Sequence, residues 1–254
     1  MPGAPVTGKP ENLAAGTTVA ESCGAAIEYG DNTAANLLLQ QLGGPVAVTG
    51  LCRSLGDGVT RLDRWEPELN SAEPGQVTGT TTPPAVATAC AKLTVGHALD
   101  GAGRRRLTGR LLANTTGGER IRAGLPGDRT VGDKTGTGCY GTADDVALAR
   151  PPGRAPLVVA VFSTHAEPPP RPTLRWSGTP PRSWRTPSDT AAHKVVHSRS
   201  TASRPAGSGI SAMRPEPFCF DHELSYSDAE FSTERHNSFT GHTSLPAPRT
   251  RPDR

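Results

Sequence analysis

The sequence predicts an α+β domain, in which a series of helices is followed by a small antiparallel sheet. Up to residue 114, apolar residues recur at the three- and four-residue spacing of amphipathic helices. After Pro126, short runs of β-forming residues alternate with glycine and proline turns. After Glu167, Pro, Ser, Thr, Arg and His crowd the chain. We therefore expect a compact domain in residues 1–167 and a low-complexity, disordered tail in residues 168–254.

The composition limits both the core and the kinds of partner. Of 254 residues, 34% are hydrophobic and 4% aromatic, whereas Gly and Pro number 29 and 25, which is a small supply of core for this length. The net charge of +3 comes mostly from the tail, where single arginines lie among prolines without interleaved aromatics. This pattern argues against a nucleic-acid-binding protein, and the lack of a long apolar stretch argues against a membrane protein.

The cysteines and the first residues bear on metal binding and localisation. The five cysteines form no C-x-x-C pair, so no metal site is predicted. Met1 is followed by Pro, Gly and polar residues rather than by a charged and then apolar leader. As written, the chain is therefore expected in the cytoplasm.

Five helices are predicted from the apolar spacing. Proline suits a first helical turn, as at Pro83, and glycine suits the position after a last turn, as at Gly96. Asn32 or Thr33 is available as the N-cap of the second helix. The five predicted helices are Thr18–Tyr29, Thr33–Leu42, Pro45–Leu55, Pro83–Val95 and Arg104–Asn114.

A long loop and three strands complete the predicted domain. The segment 61–82 contains Pro67, Pro74 and two glycines but no sustained period, and compact domains keep loops of this length mainly for function. We therefore expect it to be an active-site loop. The β-like runs that follow are Thr130–Thr135, Asp145–Ala149 and Leu157–Ser163.

The strongest chemical signal is the triplet Lys134-Thr135-Gly136. A lysine and a hydroxyl at the start of a strand can hold a substrate carboxylate at the edge of a sheet. A three-letter match carries little weight alone. It gains weight because it lies downstream of Asp31-Asn32 and of the loop segment 64–70.

Four segments, in this order, resemble the class A serine β-lactamases: E-Y-G-D-N-T-A-A-N-L-L-L (28–39), R-W-E-P-E-L-N (64–70), T-T-T-P (80–83) and D-K-T-G-T-G-C-Y-G-T (133–142). The order and spacing are similar to that family from about Pro5 to Glu167. The segments I-R-A-G-L-P (121–126) and V-A-L-A-R-P-P (146–152) further resemble its actinobacterial branch. The resemblance implies a partial β-lactamase/transpeptidase-like fold, with a helical domain and the edge of an antiparallel sheet.

The resemblance also implies roles for the loop residues. Glu66 would activate the hydrolytic water, and the Asn70 amide would hold the same water. Without such partners, a glutamate between Trp65 and Pro67 would be only a solvated loop acid.

On the predicted sheet, the resemblance assigns substrate binding and part of the catalytic chemistry. Lys134, with its positive charge, belongs to the implied catalytic set, and together with Thr135 and Gly136 it would bind the β-lactam carboxylate. The N–H of Thr137 would supply half of an oxyanion hole.

Two further residues complete the implied site. Arg122 matches the position from which the actinobacterial branch sends a guanidinium toward the lysine and the substrate carboxylate. Asn32 would contact the amide side chain of the substrate. The implied ligand is a small-molecule β-lactam, with no cofactor or metal, and the family is usually monomeric and secreted or periplasmic.

The chain departs from the family pattern at the nucleophile. That family attacks the lactam with the serine of S-x-x-K, a motif that residues 1–254 do not contain. The residues three places before the four lysines are Val6, Ala89, Val131 and Ala191. We therefore interpret the chain as N-terminally truncated and expect it to be inactive in acylation.

Two glycines stand where the family has functional side chains. Gly30 replaces the serine of the S-D-N motif, which gives a proton to the leaving nitrogen. Gly79 replaces an aspartate that pairs with the arginine at Arg64, so we expect an unpaired Arg64 and a loosely held loop. A misplaced water would slow the reaction, since errors of about 1 Å cost on the order of a hundredfold.

The segment after Glu167 also departs from the family, in which the final strand is followed by a helix that packs on the sheet. Here the prolines from 168 onward prevent such a helix. We interpret residues 168–254 as the product of a shifted reading frame, which translation of the neighbouring frames of the gene would test.

Three functions stay open from the sequence. By descent the chain is a β-lactam hydrolase that works through a serine acyl-enzyme. Alternatively it is a non-catalytic remnant that binds a β-lactam. A relative of the peptidoglycan D,D-peptidases shares some motifs, but those enzymes have no need of a deacylating glutamate such as Glu66.

Overall fold

The computed structural model describes residues 3–165 and the backbone of residues 195–196. This part of the chain contains seven α-helices and one sheet. The helices are α1 (Pro10–Ala15), α2 (Val19–Glu28), α3 (Asn32–Leu42), α4 (Pro45–Ser54), α5 (Pro83–Thr94), α6 (Gly101–Leu112) and α7 (Ile121–Gly124). A 3₁₀ turn covers Glu68–Asn70, inside the long loop. The five predicted helices are confirmed as α2 to α6, while α1, α7 and the 3₁₀ turn were not predicted.

The helix ends follow from their capping residues. Thr18 and Glu21 form a reciprocal capping box at the start of α2. At α3 the prediction of Asn32 or Thr33 as N-cap is wrong, because Asp31 has the extended backbone of a cap and its carboxylate accepts the N–H of Ala34 at 2.8 Å. Three consecutive polar residues could each have served as the cap, and only the contacts of the folded chain select Asp31.

The sheet has the order β1-β2-β3-β4, with β1 (Thr130–Gly138), β2 (Thr142–Arg150), β3 (Leu157–Ser163) and β4 (Val195–Val196). The first three strands are antiparallel, and the two residues of β4 run parallel to β3. The three predicted strands are confirmed, but β1 and β2 extend further than predicted. Their added residues pair with one another across a turn at Tyr140-Gly141, so pairing overrides the weak strand preference of glycine.

Small apolar residues fill both faces of the sheet. On one face, α5 packs against Leu148 and Val158 through Ala87 and Ala91. On the other face, Ile121 packs against Ala147, Val159 and Val161. Because alternate strand residues point to opposite faces, the two clusters hold the helices on both sides of one thin layer.

Parts of the sequence prediction lie outside the described residues. The boundary at Glu167, the disorder of the tail, the missing closing helix and the shifted frame all fall there and stay predictions. The strand β4 lies within the segment predicted to be without structure. Among the described helices, none combines the length and the apolar character needed to cross a bilayer.

Asp31 ties the start of the chain to α3. Its side chain is 1% exposed and accepts the N–H groups of Val6 at 2.9 Å and Thr7 at 2.8 Å as well as that of Ala34. Burial by itself raises the pKa of this carboxyl, but these hydrogen bonds outweigh it, and the pKa is lowered. The charged form is therefore the one that the fold requires.

Replacing Asp31 with alanine leaves those buried N–H groups without an acceptor. We expect the free energy of unfolding to fall by on the order of 3 kcal/mol near neutral pH. Because the folded-state pKa is lowered, the stabilisation by Asp31 is present above the unfolded carboxyl pKa of about 4 and is lost as the pH falls through the folded pKa. Urea unfolding of both proteins near neutral and at acidic pH measures this difference.

The matched control is Asp100→Ala, which removes the exposed N-cap of α6 and its bond from the Gly103 N–H at 2.6 Å. An exposed cap of this kind is worth about 1 kcal/mol. An Asp31→Ala variant that is no less stable than Asp100→Ala would contradict the role of Asp31.

Candidate active site

The long loop is closed at its neck by backbone hydrogen bonds. The Arg61 N–H donates to the Thr80 carbonyl at 2.9 Å. The Gly79 N–H donates to the Asp63 carboxylate at 2.7 Å, and Arg61 also pairs with that carboxylate. Both ends of the loop are thereby fastened to each other.

Arg64, which was predicted to be unpaired, forms no ion pair among the described residues but is hydrogen-bonded within the loop. One guanidinium nitrogen of Arg64 donates to Ser71 Oγ at 2.7 Å and to Thr78 Oγ1 at 2.9 Å. Its Nε is buried without a hydrogen-bond partner among the described residues. Hydroxyl groups of the loop thus accept the hydrogen bonds of Arg64, and the looseness of the loop stays a prediction.

Asn36 on α3 fixes the backbone of Glu66. Its amide nitrogen donates to the Glu66 carbonyl at 2.9 Å, and its amide oxygen accepts the Glu66 N–H at 3.0 Å. The peptide bond from Glu66 to Pro67 is cis. Sequence reasoning missed Asn36, although it lies four residues after Asn32, a spacing that places both on one face of α3.

The side chain of Glu66 lies among the predicted partners. The Asn70 amide donates a hydrogen bond to its carboxylate, and the charge of Lys134 on β1 is close enough to interact with it. Burial raises the pKa of Glu66, against the lowering effects of the Asn70 bond and the Lys134 charge. Burial likewise lowers the pKa of Lys134, against the neighbouring carboxylates. Both shifts bring the groups closer to the range in which protons move at neutral pH.

The loop is docked on the end of β1 through Asn70. The Asn70 carbonyl accepts the N–H of Cys139 at 2.9 Å. A Cβ atom placed on Gly138 would lie 2.7 Å from the same carbonyl oxygen. Only glycine therefore allows the loop to approach the strand this closely.

The hydroxyl of Thr135 lies in a short chain of polar groups. It is 2.6 Å from the hydroxyl of Thr116, which donates to the Asn114 side chain at 2.8 Å. The Lys134 ammonium donates to the Thr135 carbonyl at 2.5 Å. An ammonium and a hydroxyl of adjacent residues are thus held at the strand on which a carboxylate site was predicted.

The guanidinium beside this strand belongs to Arg120. It donates to the Gly136 carbonyl at 3.1 Å, to the Asp144 carbonyl at 2.9 Å and to Thr137 Oγ1 at 3.0 Å. The residue is 5% exposed and spans β1 and β2. Sequence reasoning missed Arg120 because two arginines flank Ile121 at equal distance.

The prediction that Arg122 sends its guanidinium toward Lys134 is therefore corrected. Its Nε donates to the Asp133 carboxylate at 2.8 Å, and another guanidinium nitrogen donates to the Leu111 carbonyl at 3.1 Å. These contacts hold α6 and the start of β1 together. They direct Arg122 to Asp133 rather than to Lys134 and Thr135.

Gly30 and Asn32 lie on either side of the cap of α3. Gly30 has a φ of +66°, a left-handed backbone, and a Cβ placed on it would meet open space. Asn32 is the first residue of α3, and its N–H donates to the Gly3 carbonyl at 2.7 Å. Its side chain is half-buried, and its predicted contact with substrate stays a prediction.

A separate cavity of about 550 Å³ lies between α4 and the arm of the loop that precedes Glu66. Its wall includes Val46, Leu62 and Trp65, together with the ion pair of Arg61 and Asp63. The predicted catalytic and substrate-binding residues do not line it. Arg61 and Asp63 pair with each other, and Arg53, which also lines the cavity, bonds to the carbonyls of Asp57 and Thr60. No set of reactive groups therefore converges there, and we place the candidate active site at β1.

Because burial raises its pKa, the ionised form of Glu66 destabilises the fold. The stabilising effect of its proton is lost as the pH rises through the folded-state pKa. We therefore expect Glu66→Gln to raise the Tm at mildly alkaline pH and to leave it unchanged at acidic pH. Thermal unfolding across that range measures the effect. The control is Glu68→Gln, which removes the same charge from an exposed residue of the loop. A Tm difference independent of pH would contradict the prediction.

Because the loop is docked on β1, substitution of two glycines of this strand should affect stability differently. Gly138→Ala brings a methyl group against the Asn70 carbonyl, and we expect a loss of about 1–3 kcal/mol in stability and faster proteolysis within residues 61–82. Gly136→Ala is the control, since its Cβ would lie 3.5 Å from Asp144, an ordinary contact. Equal stability and equal cleavage of the two variants would show that the loop is not docked here.

Comparison with known proteins agrees with this architecture. The model of the β-lactamase enzyme family matches residues 2–175. A β-lactamase of Streptomyces lavendulae is 62% identical over 164 residues, which are 65% of this chain and 54% of that protein. One from Streptomyces albus G is 60% identical over 64% of this chain and 52% of its own length. The chain thus spans about half the length of the curated relatives it matches.

Solved structures give the same result. The β-lactamase from Streptomyces albus G superposes with a TM-score of 0.66 at 55% identity, over 72% of this chain and 68% of that one. An ancestral class A β-lactamase of Gram-negative bacteria superposes with a TM-score of 0.59 at 57% identity, over 61% and 59% of the two chains. The helices and the antiparallel sheet described above are therefore part of the β-lactamase fold, and the chain belongs to the class A serine β-lactamase family.

Proposed function

We propose that this chain carries the part of a class A β-lactamase site that binds the β-lactam carboxylate and activates water, and that it binds β-lactams without forming an acyl-enzyme. The observation that carries the proposal is the convergence of Glu66 and Asn70 from the loop with Lys134 and Arg120 beside β1. By descent the reaction is hydrolysis of the β-lactam ring.

The carboxylate of the ligand would bind at the exposed side of β1. The ammonium of Lys134 and the hydroxyl of Thr135 belong to adjacent residues, and the guanidinium of Arg120 reaches Thr137 two residues later. Charge-assisted hydrogen bonds of this kind are about twice as strong as neutral ones. Thr137 is exposed, so its N–H is available to polarise a lactam carbonyl.

Glu66 and Asn70 support the water-activating role. A carboxylate whose pKa is raised by burial is a stronger base than an exposed one, and the Asn70 amide holds it in one orientation. Asn36 fixes the backbone of Glu66, so the base is held at both its main chain and its side chain. This glutamate also favours a β-lactamase over a D,D-peptidase, which does not deacylate in this way.

The residues present do not support the covalent step. No serine stands three places before a lysine in residues 1–254, and Gly30 offers no hydroxyl to the leaving nitrogen. A β-lactam bound at Lys134 would therefore meet a base and a water without an attacking serine.

Incubation with benzylpenicillin tests the proposal. We expect saturable binding in a two-dimensional NMR titration, with shifts at the amides of residues 134–137, and an unchanged intact mass. A transient mass increase equal to the antibiotic would show an acyl-enzyme and overturn the non-covalent mode. Absence of binding at millimolar ligand would overturn the proposal as a whole.

The two arginines predict different effects on binding. Arg120→Ala should weaken benzylpenicillin binding about tenfold, since a lost charge-assisted hydrogen bond is worth roughly 1.5–3 kcal/mol. Arg122→Ala should leave the affinity of the folded protein within about twofold, because its contacts end on Asp133 and Leu111. The methyl ester of benzylpenicillin, which lacks the carboxylate, is the ligand control and should bind both variants equally. The reverse ranking of the two arginines would contradict the site.

A further inference from the structure

Asp145 on β2 is a buried carboxylate with an incomplete set of partners. It is 1% exposed. Its Oδ2 accepts the N–H of Ile121 at 3.0 Å, whereas its Oδ1 has no hydrogen-bond partner among the described residues. A buried charge held in this way destabilises a fold more than a neutral side chain of similar size.

The one hydrogen bond of Asp145 lies next to Arg120. The Ile121 N–H belongs to the peptide that joins these two residues, and the Ile121 side chain packs in the core against Val159. The backbone that follows Arg120 is thus held on β2 by Asp145. The guanidinium is held by Gly136 and Thr137 on β1 and by the carbonyl of Asp144 on β2.

Charged groups face Asp145 from β1 and from the region of α7, whereas β3 carries no charged residue. Asp133 and Lys134 lie on β1, Arg120 precedes α7 and Arg122 lies within it. Burial, followed by the charge of Asp133, raises the pKa of Asp145 to about 7, against the lowering effects of the Ile121 bond and the two arginines. A raised folded-state pKa means that stability is lost as the pH rises through that value.

We propose that Asp145 is a positioning residue for Arg120: by accepting the Ile121 N–H it fixes the backbone from which the guanidinium reaches β1. This inference rests on the proposed function, in which that guanidinium binds the β-lactam carboxylate. An acceptor oxygen is what the position requires, so a neutral asparagine satisfies it and an alanine does not.

The alternative is a purely structural role, in which Asp145 anchors α7 and the position of Arg120 does not depend on it. The two roles differ in the affinity of the folded molecules. An anchor changes the folded fraction alone, whereas a positioning residue changes the dissociation constant of the molecules that are folded.

The experiment compares Asp145→Ala, Asp145→Asn and Val158→Ala in the full chain. Val158 is 1% exposed and packs on the opposite face of the sheet, so its truncation lowers stability without touching Arg120. Binding is measured at a temperature well below the lowest Tm of these proteins. There we expect Asp145→Ala to bind benzylpenicillin about tenfold more weakly than the parent, which corresponds to roughly 1.4 kcal/mol. Asp145→Asn and Val158→Ala should stay within about threefold of the parent.

Two outcomes overturn the positioning role. One is an Asp145→Ala protein that binds like the parent, and the other is an Asp145→Asn protein that binds as weakly as Asp145→Ala. If Asp145→Ala does not fold, Asp145→Asn is compared with the parent at mildly acidic and mildly alkaline pH. Equal affinity of the two proteins at both values then supports the acceptor role, and a loss at either value overturns it.

A readout without ligand separates this inference from the proposed function. The Arg120 side-chain N–H signal in ¹H–¹⁵N spectra should move in Asp145→Ala and stay in place in Val158→Ala. If the parent does not bind benzylpenicillin, the proposed function fails while these spectra still decide the positioning role. An unmoved Arg120 signal in Asp145→Ala overturns it.

Discussion

The register in which β1 pairs with β2 positions the groups that the sheet contributes to the site. Lys134 lies opposite Val146, and Thr135 lies opposite Asp145. Successive residues point to opposite faces, so a slip of one residue would exchange Lys134 for Thr135 on the face toward Glu66. In this register Gly136 lies opposite Asp144, and Arg120 binds the carbonyls of both. The pairing therefore places the Lys134 ammonium on the face toward Glu66 and the side chains of Thr135 and Thr137 on the other face, where Arg120 bonds to Thr137.

The loop that carries Glu66 is also attached to β1. Asn70 contacts Glu66 with its side chain and Cys139 with its carbonyl, so one residue joins Glu66 to the end of β1. Asn36 makes the corresponding connection to α3. Glu66 is thus held between α3 and the end of β1. At the neck of the loop, Asp63 accepts the Gly79 N–H and pairs with Arg61.

Much of this architecture could be predicted because its signals are local. Apolar spacing and terminal prolines place α2 to α6, and the K-T-G triplet places β1. The N-cap of α3 could not be chosen among Asp31, Asn32 and Thr33, since the N–H groups of residues 6 and 7 decide it from a distance. Arg120 and Arg122 are equally polar neighbours of Ile121, one just before and one within a four-residue helix. Their directions are set by Asp133 and by the carbonyls of the sheet, which no local pattern records.

The contacts of Arg120 have a consequence for how this site can change. Two of its three acceptors are main-chain oxygens, at Gly136 and Asp144. Main-chain oxygens are present whatever side chain a position carries, so substitutions at residue 144 leave that acceptor in place. Only Thr137 contributes through its side chain. The lining of the site can therefore vary at neighbouring positions while the guanidinium keeps its place, which gives one scaffold room to accommodate ligands of different shape.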